Sequence, residues 1–514
     1  MSKSLFKSTS VVVSMTMVSR VFGFIRDMVM AQFFGATAGQ DAFSVAFRIP
    51  NFMRRLFAEG SFSQAFVPVL SEYQKQRSRE EVQNFINAIA GTLGFVLLII
   101  TILGVVFAPW IVRVFAPGFA TQGERFALTV TMLRVTFPYL LLISLTAFSG
   151  AILNTYSRFW VAAFTPVFLN LSMIAAAIWL SPHMVVPVTA LAWGVFIAGV
   201  VQLLFQIPFL KNMRLMPRPK ICFSDDGVKK VLKLMVPALF GVSVGQINLL
   251  LDTLFASFLI VGSVSWLYFS DRLMEFPLGV FGVAISTVIL PHLSRHHAAQ
   301  SEKDFSLTID WALRCVLLIG VPAAVVLGVM AGPLISALFQ HGHFDARAVL
   351  MTQKSLSMFA IGITPFMLVK ILASGFYAKQ DLRTPVKIGI AAMISNMVLN
   401  LILIWPLKHA GIALATSLSA VLNAGCLFYF LRARNLYVPR EGWGIFGLRL
   451  LFVNTVLGVF LWWSVGDLQV WVMQDWQWRC WHLIVLSVSA VVIYLVSLWV
   501  VGVRPKDVLV PVSS

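Results

Sequence analysis

Charge is scarce in this sequence. Asp, Glu, Lys and Arg make up 12% of its 514 residues, where soluble domains carry about 25%. No Gly-Lys dipeptide occurs, which excludes a P-loop ATPase. The four cysteines, Cys222, Cys315, Cys426 and Cys480, stand far apart with no CxxC pair. They imply neither a disulfide framework nor a zinc site, and read as ordinary apolar residues. His292, His296 and His297 cluster, but with no acidic or thiol partner nearby they suggest no metal. There is no His/Asp catalytic set, so an enzyme is not expected. No loop is long enough to fold as a soluble catalytic domain. The longest, around 211–229, carries MRLMPRPK and reads as a linker.

Apolar residues fill the chain instead. They make up 59% of it, and the mean hydropathy is +0.86. Stretches of spanning length recur from end to end, continuously apolar rather than alternating. An all-α polytopic membrane protein follows, and a transmembrane β-barrel is excluded. The reading gives fourteen spans. The least apolar are the first two, near 5–34 and 40–71, and the seventh and eighth, near 230–260 and 263–293. Lys3 and Lys7 precede VVVSMTMV as in a signal peptide, but Arg20 follows and no A-x-A pattern appears, so an uncleaved first helix is expected.

The net charge of +18 does not point to nucleic acid, because no soluble block gathers the basic residues. They lie mostly in short loops that orient the helices. With the N-terminus in the cytoplasm, the opposite side holds only Arg113, Arg125, Arg347, Lys408 and Arg479. Cytoplasmic N- and C-termini are therefore expected.

An internal repeat organises the chain. AQFFGATAGQDAFSVAFR from Ala31 resembles ASFLIVGSVSWLYFSDR from Ala256, and AFVPVLSE at 65–72 resembles VILPHLSR at 288–295. A weaker echo links the segments starting at Phe137 and Thr364. The offset spans six helices, an even number, so both copies share one topology. The expected architecture is two six-helix lobes around a central cavity, plus two extra C-terminal helices. Residues 1–210 form the N-terminal lobe, 211–229 the cytoplasmic linker, 230–434 the C-terminal lobe and 435–514 the last helix pair. Two lobes rocking about a central site is the geometry of alternating access.

The scarce charges are oddly placed. Arg20, Arg26, Arg48, Arg54 and Arg55 fall in the first two spans, and Arg272 in the eighth. An arginine at a helix centre costs roughly 2.5–3.5 kcal/mol on insertion, so such residues face a wet cavity or a partner. Asp41, Arg48 and Arg55 are spaced by sevens, and Arg55–Glu59 is an i,i+4 pair, giving one approximate face across Pro50. Arg20 and Asp27 are also seven apart. Five arginines outnumber three acids there (Asp27, Asp41 and Glu59), so the N-terminal bundle presents net positive charge. Asp271, Arg272 and Glu275 answer from the second half. Guanidiniums grip phosphate oxygens bidentately, which makes a diphosphate head group the natural occupant. Asn248, Asp252, Asn396 and Asn400 are weak candidates for an oxygen-ligand cation site, and ordinary interhelical hydrogen bonding explains them as well.

SRVFGFIRD at 19–27, QDAF at 40–43, PNFMRRLFAEGSFSQAFVP at 50–68, SDRLMEFP at 270–277 and FYAKQDLRTPVK at 376–387 resemble the MurJ (MviN) lipid II flippase family. The resemblance covers essentially the whole chain. It places the chain in the multidrug/oligosaccharidyl-lipid/polysaccharide exporter superfamily. It implies transfer of lipid-linked peptidoglycan precursor from the inner to the outer leaflet of the bacterial cytoplasmic membrane. The arginines that family needs match Arg20, Arg26, Arg55 and Arg272, with Asp41 as the acidic partner. Arg54, Glu59 and Glu275 match cavity positions, and Arg48 stands where relatives can carry lysine. The resemblance also implies a groove for the polyprenyl tail on the last two helices. The sodium site of some relatives uses an acid on the eleventh helix, where this chain has Asn396 and Asn400. No cofactor is expected. Membrane potential, an ion gradient or the substrate's own gradient is left to drive transport, and cell-wall synthesis proteins are candidate partners. An exporter of another polyprenyl-diphosphate glycan and a non-transporting scaffold are the alternatives.

Overall fold

The structure is a computed structural model that describes residues 3–55 and 62–504. These residues form helices joined by short turns, with no strand among them. Among the described residues ten helical segments are long and apolar enough to cross a membrane, from Arg79–Val106 to Trp476–Val500. Fourteen spans were expected. The other four segments are those expected to be least apolar: Lys3–Phe34, Ala38–Arg54 with Ser63–Gln76, Asp226–Ser257, and Ser263–Pro277 with Val283–Ala298. They carry the charged candidates, and two of them are interrupted.

The interruptions repeat. Lys3–Phe34 ends at Gly35 (φ 58°), and Thr37 restarts the chain, its hydroxyl accepting the Gln40 amide. Gly262 (φ 95°) stands before the Ser263 helix in the second copy. Positive φ favours glycine because it has no Cβ to clash. Ser157 (φ 63°) and Gln380 (φ 61°), 223 residues apart, also match. So do the caps Phe107 (φ −87°, ψ 13°) and Met330 (φ −89°, ψ 14°). A π-type turn falls at Arg55 and again at Leu278–Gly282. The sequence repeat is thus also a repeat of backbone breaks.

Packing divides the chain into two compact units, Met1–Val264 and Ser265–Ser514. The Asp226–Ser257 helix packs within the first, against Ser63–Gln76 and Pro117–Phe119, whereas the repeat groups it with the second lobe. Phe62, Phe66, Phe85 and Phe148 stack or meet edge-on in the first unit's core. The linker is strapped to the Arg79–Val106 helix. The Lys220 amide donates to the Asn87 carbonyl at 3.0 Å, and the Cys222 amide to the Thr92 hydroxyl at 3.1 Å. Gly91 permits this approach, since a Cβ there would lie 2.3 Å from the Lys220 backbone.

In the second unit Ala346–Ala378 packs against Glu302–Val329 and His409–Ala433. Phe269, Phe339 and Phe344 close one end. The last two long helices, Trp443–Val465 and Trp476–Val500, pack on each other; the first packs on Glu302–Val329 through Leu450, Leu457 and Leu461, and the second packs on Ala331–Phe339. Buried Asp310 ties the connecting turn down. It accepts from the Tyr437 hydroxyl (2.7 Å), the Trp443 indole (2.6 Å) and the Arg440 amide (3.2 Å), and pairs with Arg314 at 2.9 Å. Burial, then the hydrogen bond to Asp310, pushes the Tyr437 hydroxyl well above its usual range.

Candidate functional site: a set of oriented guanidiniums

Arg26 is the most organised of the candidate cations. Its Nε and one terminal nitrogen donate to Asp27 Oδ1 at 3.0 and 2.7 Å, and the other donates to Asn170 Oδ1 at 3.0 Å. Asn170 Nδ2 in turn donates to the Ser19 carbonyl, so it bridges two helices. Arg26 and Asp27 are both buried. A neighbouring carboxylate offsets much of the cost of holding a guanidinium there. Gly23, one turn earlier, faces the Asn170 amide, with space for a Cβ at 3.6 Å.

The other candidates fall into separate settings. Arg20 is exposed. Arg48 is half-buried and donates to the Thr253 hydroxyl on Asp226–Ser257. Arg54 holds Asn51 Oδ1 with two nitrogens, at 3.0 and 2.9 Å, and lines a cavity among the first unit's helices. Arg55 is half-buried at the π-turn that ends Ala38–Arg54. Arg272 pairs with Glu275 at 2.8 Å and lies over the Tyr268 ring at 5.0 Å. Glu59 lies outside the described residues. Asp271 and Glu275 share the helix of Arg272 in the second unit.

Asp41 stands in the first turn of Ala38–Arg54. It is fully buried, accepting from Arg125 at 3.1 Å and from the Gly262 amide at 2.7 Å. Arg125 also donates to Gln122 Oε1 and to the Leu259 carbonyl (3.2 Å), and its guanidinium lies 4.5 Å over the Phe119 ring. This node fixes the 258–262 turn to the start of Ala38–Arg54. Sequence reasoning counted Arg125 only as a loop charge. It also missed Asn170 and Thr253, because neutral polar residues in apolar helices carry no charge signal.

The cation candidates divide between units, Asn248 and Asp252 in the first, Asn396 and Asn400 in the second. Buried Asn400 donates to Asn396 one turn earlier on the same helix at 2.8 Å, and Asn396 donates to the Thr416 hydroxyl of the next helix at 3.2 Å, an interhelical bond of the kind membrane helices favour. Among the described residues no three His, Cys, Asp or Glu gather as a metal site would need.

Apolar spanning helices, repeated breaks and intramembrane guanidiniums together define a multi-pass membrane protein of transporter architecture. The profile of lipid II flippase MurJ matches residues 30–481. The probable lipid II flippase MurJ of Haemophilus influenzae is 47% identical over 508 residues, covering 96% of this chain and 99% of that one. The lipid II flippase MurJ of Burkholderia cenocepacia is 43% identical over 464 residues, 90% of each chain. Among solved structures, a lipid II flippase MurJ in an inward closed conformation superposes with a TM-score of 0.78 at 25% identity, covering 95% of this chain and 97% of that one. An inward-facing multidrug resistance MATE family transporter of the MOP superfamily shares the fold, with a TM-score of 0.69 at 14% identity, covering 83% of this chain and 97% of that one. The chain belongs to the lipid II flippase MurJ family.

Proposed function

We propose that this protein moves lipid II from the inner to the outer leaflet of the bacterial cytoplasmic membrane by alternating access, with both termini in the cytoplasm. The observation that carries this reading is the match to lipid II flippases along almost the full length of the chain. Arg20, Arg26, Arg55 and Arg272 hold the diphosphate. Arg48, Arg54 and Glu275 adjust the charge around it. Asp27 and Asn170 hold the Arg26 guanidinium in a fixed orientation. Asp41 acts on the turn at 258–262 rather than on the lipid. The polyprenyl tail follows the last two helices, whose outer faces expose Trp462, Trp463, Trp481 and Trp499.

Transport is non-covalent, and membrane potential or an ion gradient supplies its direction. Neutralising the bound anion favours closure toward the cytoplasm, and release occurs on the other side. The lipid's other contacts are with membrane lipids and, at delivery, with cell-wall synthesis proteins. The test is complementation. In cells depleted of their own flippase, Arg26→Ala and Arg272→Ala should reach the membrane at normal levels yet fail to sustain wall synthesis. Normal growth on either variant would refute the reading.

A further inference from the structure

A cavity of about 300 Å³ lies among the helices of the first unit, bounded by Ala38–Arg54, Ser63–Gln76, Tyr139–Thr155, Phe159–Ala175 and Thr189–Asn212. Among the described residues its polar groups, which include Tyr139, Thr146, Asn154, Gln202 and Gln206, are neutral except for Arg54 at one edge. Apolar walls from Ile143, Ala147 and Leu169 complete it. A few placed polar groups on an apolar lining is the usual make-up of a small-ligand site.

The polar groups are built rather than incidental. Gln206 is 1% exposed, and its Nε2 donates to the Thr165 hydroxyl at 2.9 Å. Gln202, 2% exposed, donates to the Thr165 carbonyl at 3.2 Å and accepts from the Tyr139 hydroxyl at 3.4 Å. Gln206 Oε1 is left as a buried acceptor with no partner among the described residues. A buried acceptor left empty is costly, so its retention needs a reason. It is anchored through its own amide and waits for an N–H or O–H donor.

We propose that this cavity receives the first, phosphate-linked N-acetylated sugar of the lipid head group. The inference rests on the flippase reading given above. That sugar is bonded directly to the diphosphate, so a phosphate held by guanidiniums near Arg54 brings it to the cavity's charged edge. Its hydroxyl and acetamido N–H groups are the donors Gln206 Oε1 lacks. Its C–H face suits the apolar wall. Among the described residues the lining holds no acidic or ammonium group, which suits a neutral ring better than the charged peptide stem. Selectivity then has a physical source, because a site that hydrogen-bonds a polar group discriminates strongly against the ligand lacking it.

Two variants test this on the full-length protein in lipid nanodiscs. A Cβ on Gly150 would stand 3.7 Å from Gln206 Nε2, 3.8 Å from Oε1 and 3.4 Å from the Ala162 methyl. Gly150→Ala therefore fits at ordinary contact while covering the amide. Gln206→Leu removes the amide outright. Three probes are compared: lipid II, the same lipid with one sugar, and bare undecaprenyl diphosphate. Wild type should prefer both glycosylated lipids. Each variant should cut that preference about tenfold and leave the bare diphosphate unaffected. Arg26→Ala should weaken all three together. Unchanged preference in both variants, as for a cavity holding only water, would overturn the inference, as would a wild type that binds all three equally. If wild type binds none, the flippase reading itself falls.

Discussion

The Asp41–Arg125 pair permits a quantitative test of how the first unit holds its turn. Arg125 is 3% exposed and Asp41 fully buried. Removing one partner strands the other charge away from water, which costs about 3–5 kcal/mol for a buried pair. Asp41→Asn keeps the shape and still accepts the Gly262 amide, so it isolates the charge. Arg125→Met keeps most of the volume. Each single variant should lose about that amount, whereas the double variant, with no stranded ion, should be no worse than either single. Equilibrium unfolding of the four proteins in one detergent gives the coupling as a double-mutant cycle. Losses that simply add, or single variants within about 1 kcal/mol of wild type, would refute the reading of this node as an ion pair that secures the turn.

Two other perturbations follow from buried or bonded charges. Arg479 is buried and donates to the Ser336 and Gln340 carbonyls at 3.0 and 3.1 Å, docking the last helix onto the end of Ala331–Phe339. Arg479→Met should cost about 1.5–3 kcal/mol and make the C-terminal pair more protease-sensitive; wild-type resistance would argue against that docking role. Asp381 is held down from 3.8 to about 2 by the Thr384 hydroxyl and amide and then by Arg434. A depressed carboxyl stabilises the fold above its unfolded value and loses that contribution as pH falls through the folded one. The difference in thermal midpoint between wild type and Asp381→Asn should therefore be present above about pH 4 and vanish toward pH 2. A difference that stays constant across this range would contradict the assignment.

Much of the fold was legible because a membrane imposes long apolar stretches, and helices show them without any tertiary information. The ten most apolar spans were readable this way, from the Arg79 helix to the Trp476 helix. The repeat was readable too, and Gly35 and Gly262 explain why its copies break where they do. The candidate site was legible only where chemistry is adjacent in sequence. Arg272 and Glu275 lie within one turn of each other and pair, whereas Asp27, set seven residues from Arg20 in the sequence, pairs with its neighbour Arg26. Asp41 and Arg125 are 84 residues apart, and helical periodicity relates only near neighbours. Asn170, 144 residues from Arg26, was hidden for the same reason. The sevens spacing of Asp41, Arg48 and Arg55 suggested one shared face. The distant partners on that face, Arg125 and the Gly262 amide for Asp41 and Thr253 for Arg48, gave no such sign in the sequence.

Leaflet-resolved labelling of lipid II bears most directly on the central claim. In cells depleted of their own flippase, wild type should restore labelling from the outer face. Arg26→Ala and Arg272→Ala, present at equal levels, should leave lipid II accumulating on the cytoplasmic side. Outer-leaflet labelling as strong with either variant as with wild type would contradict the account.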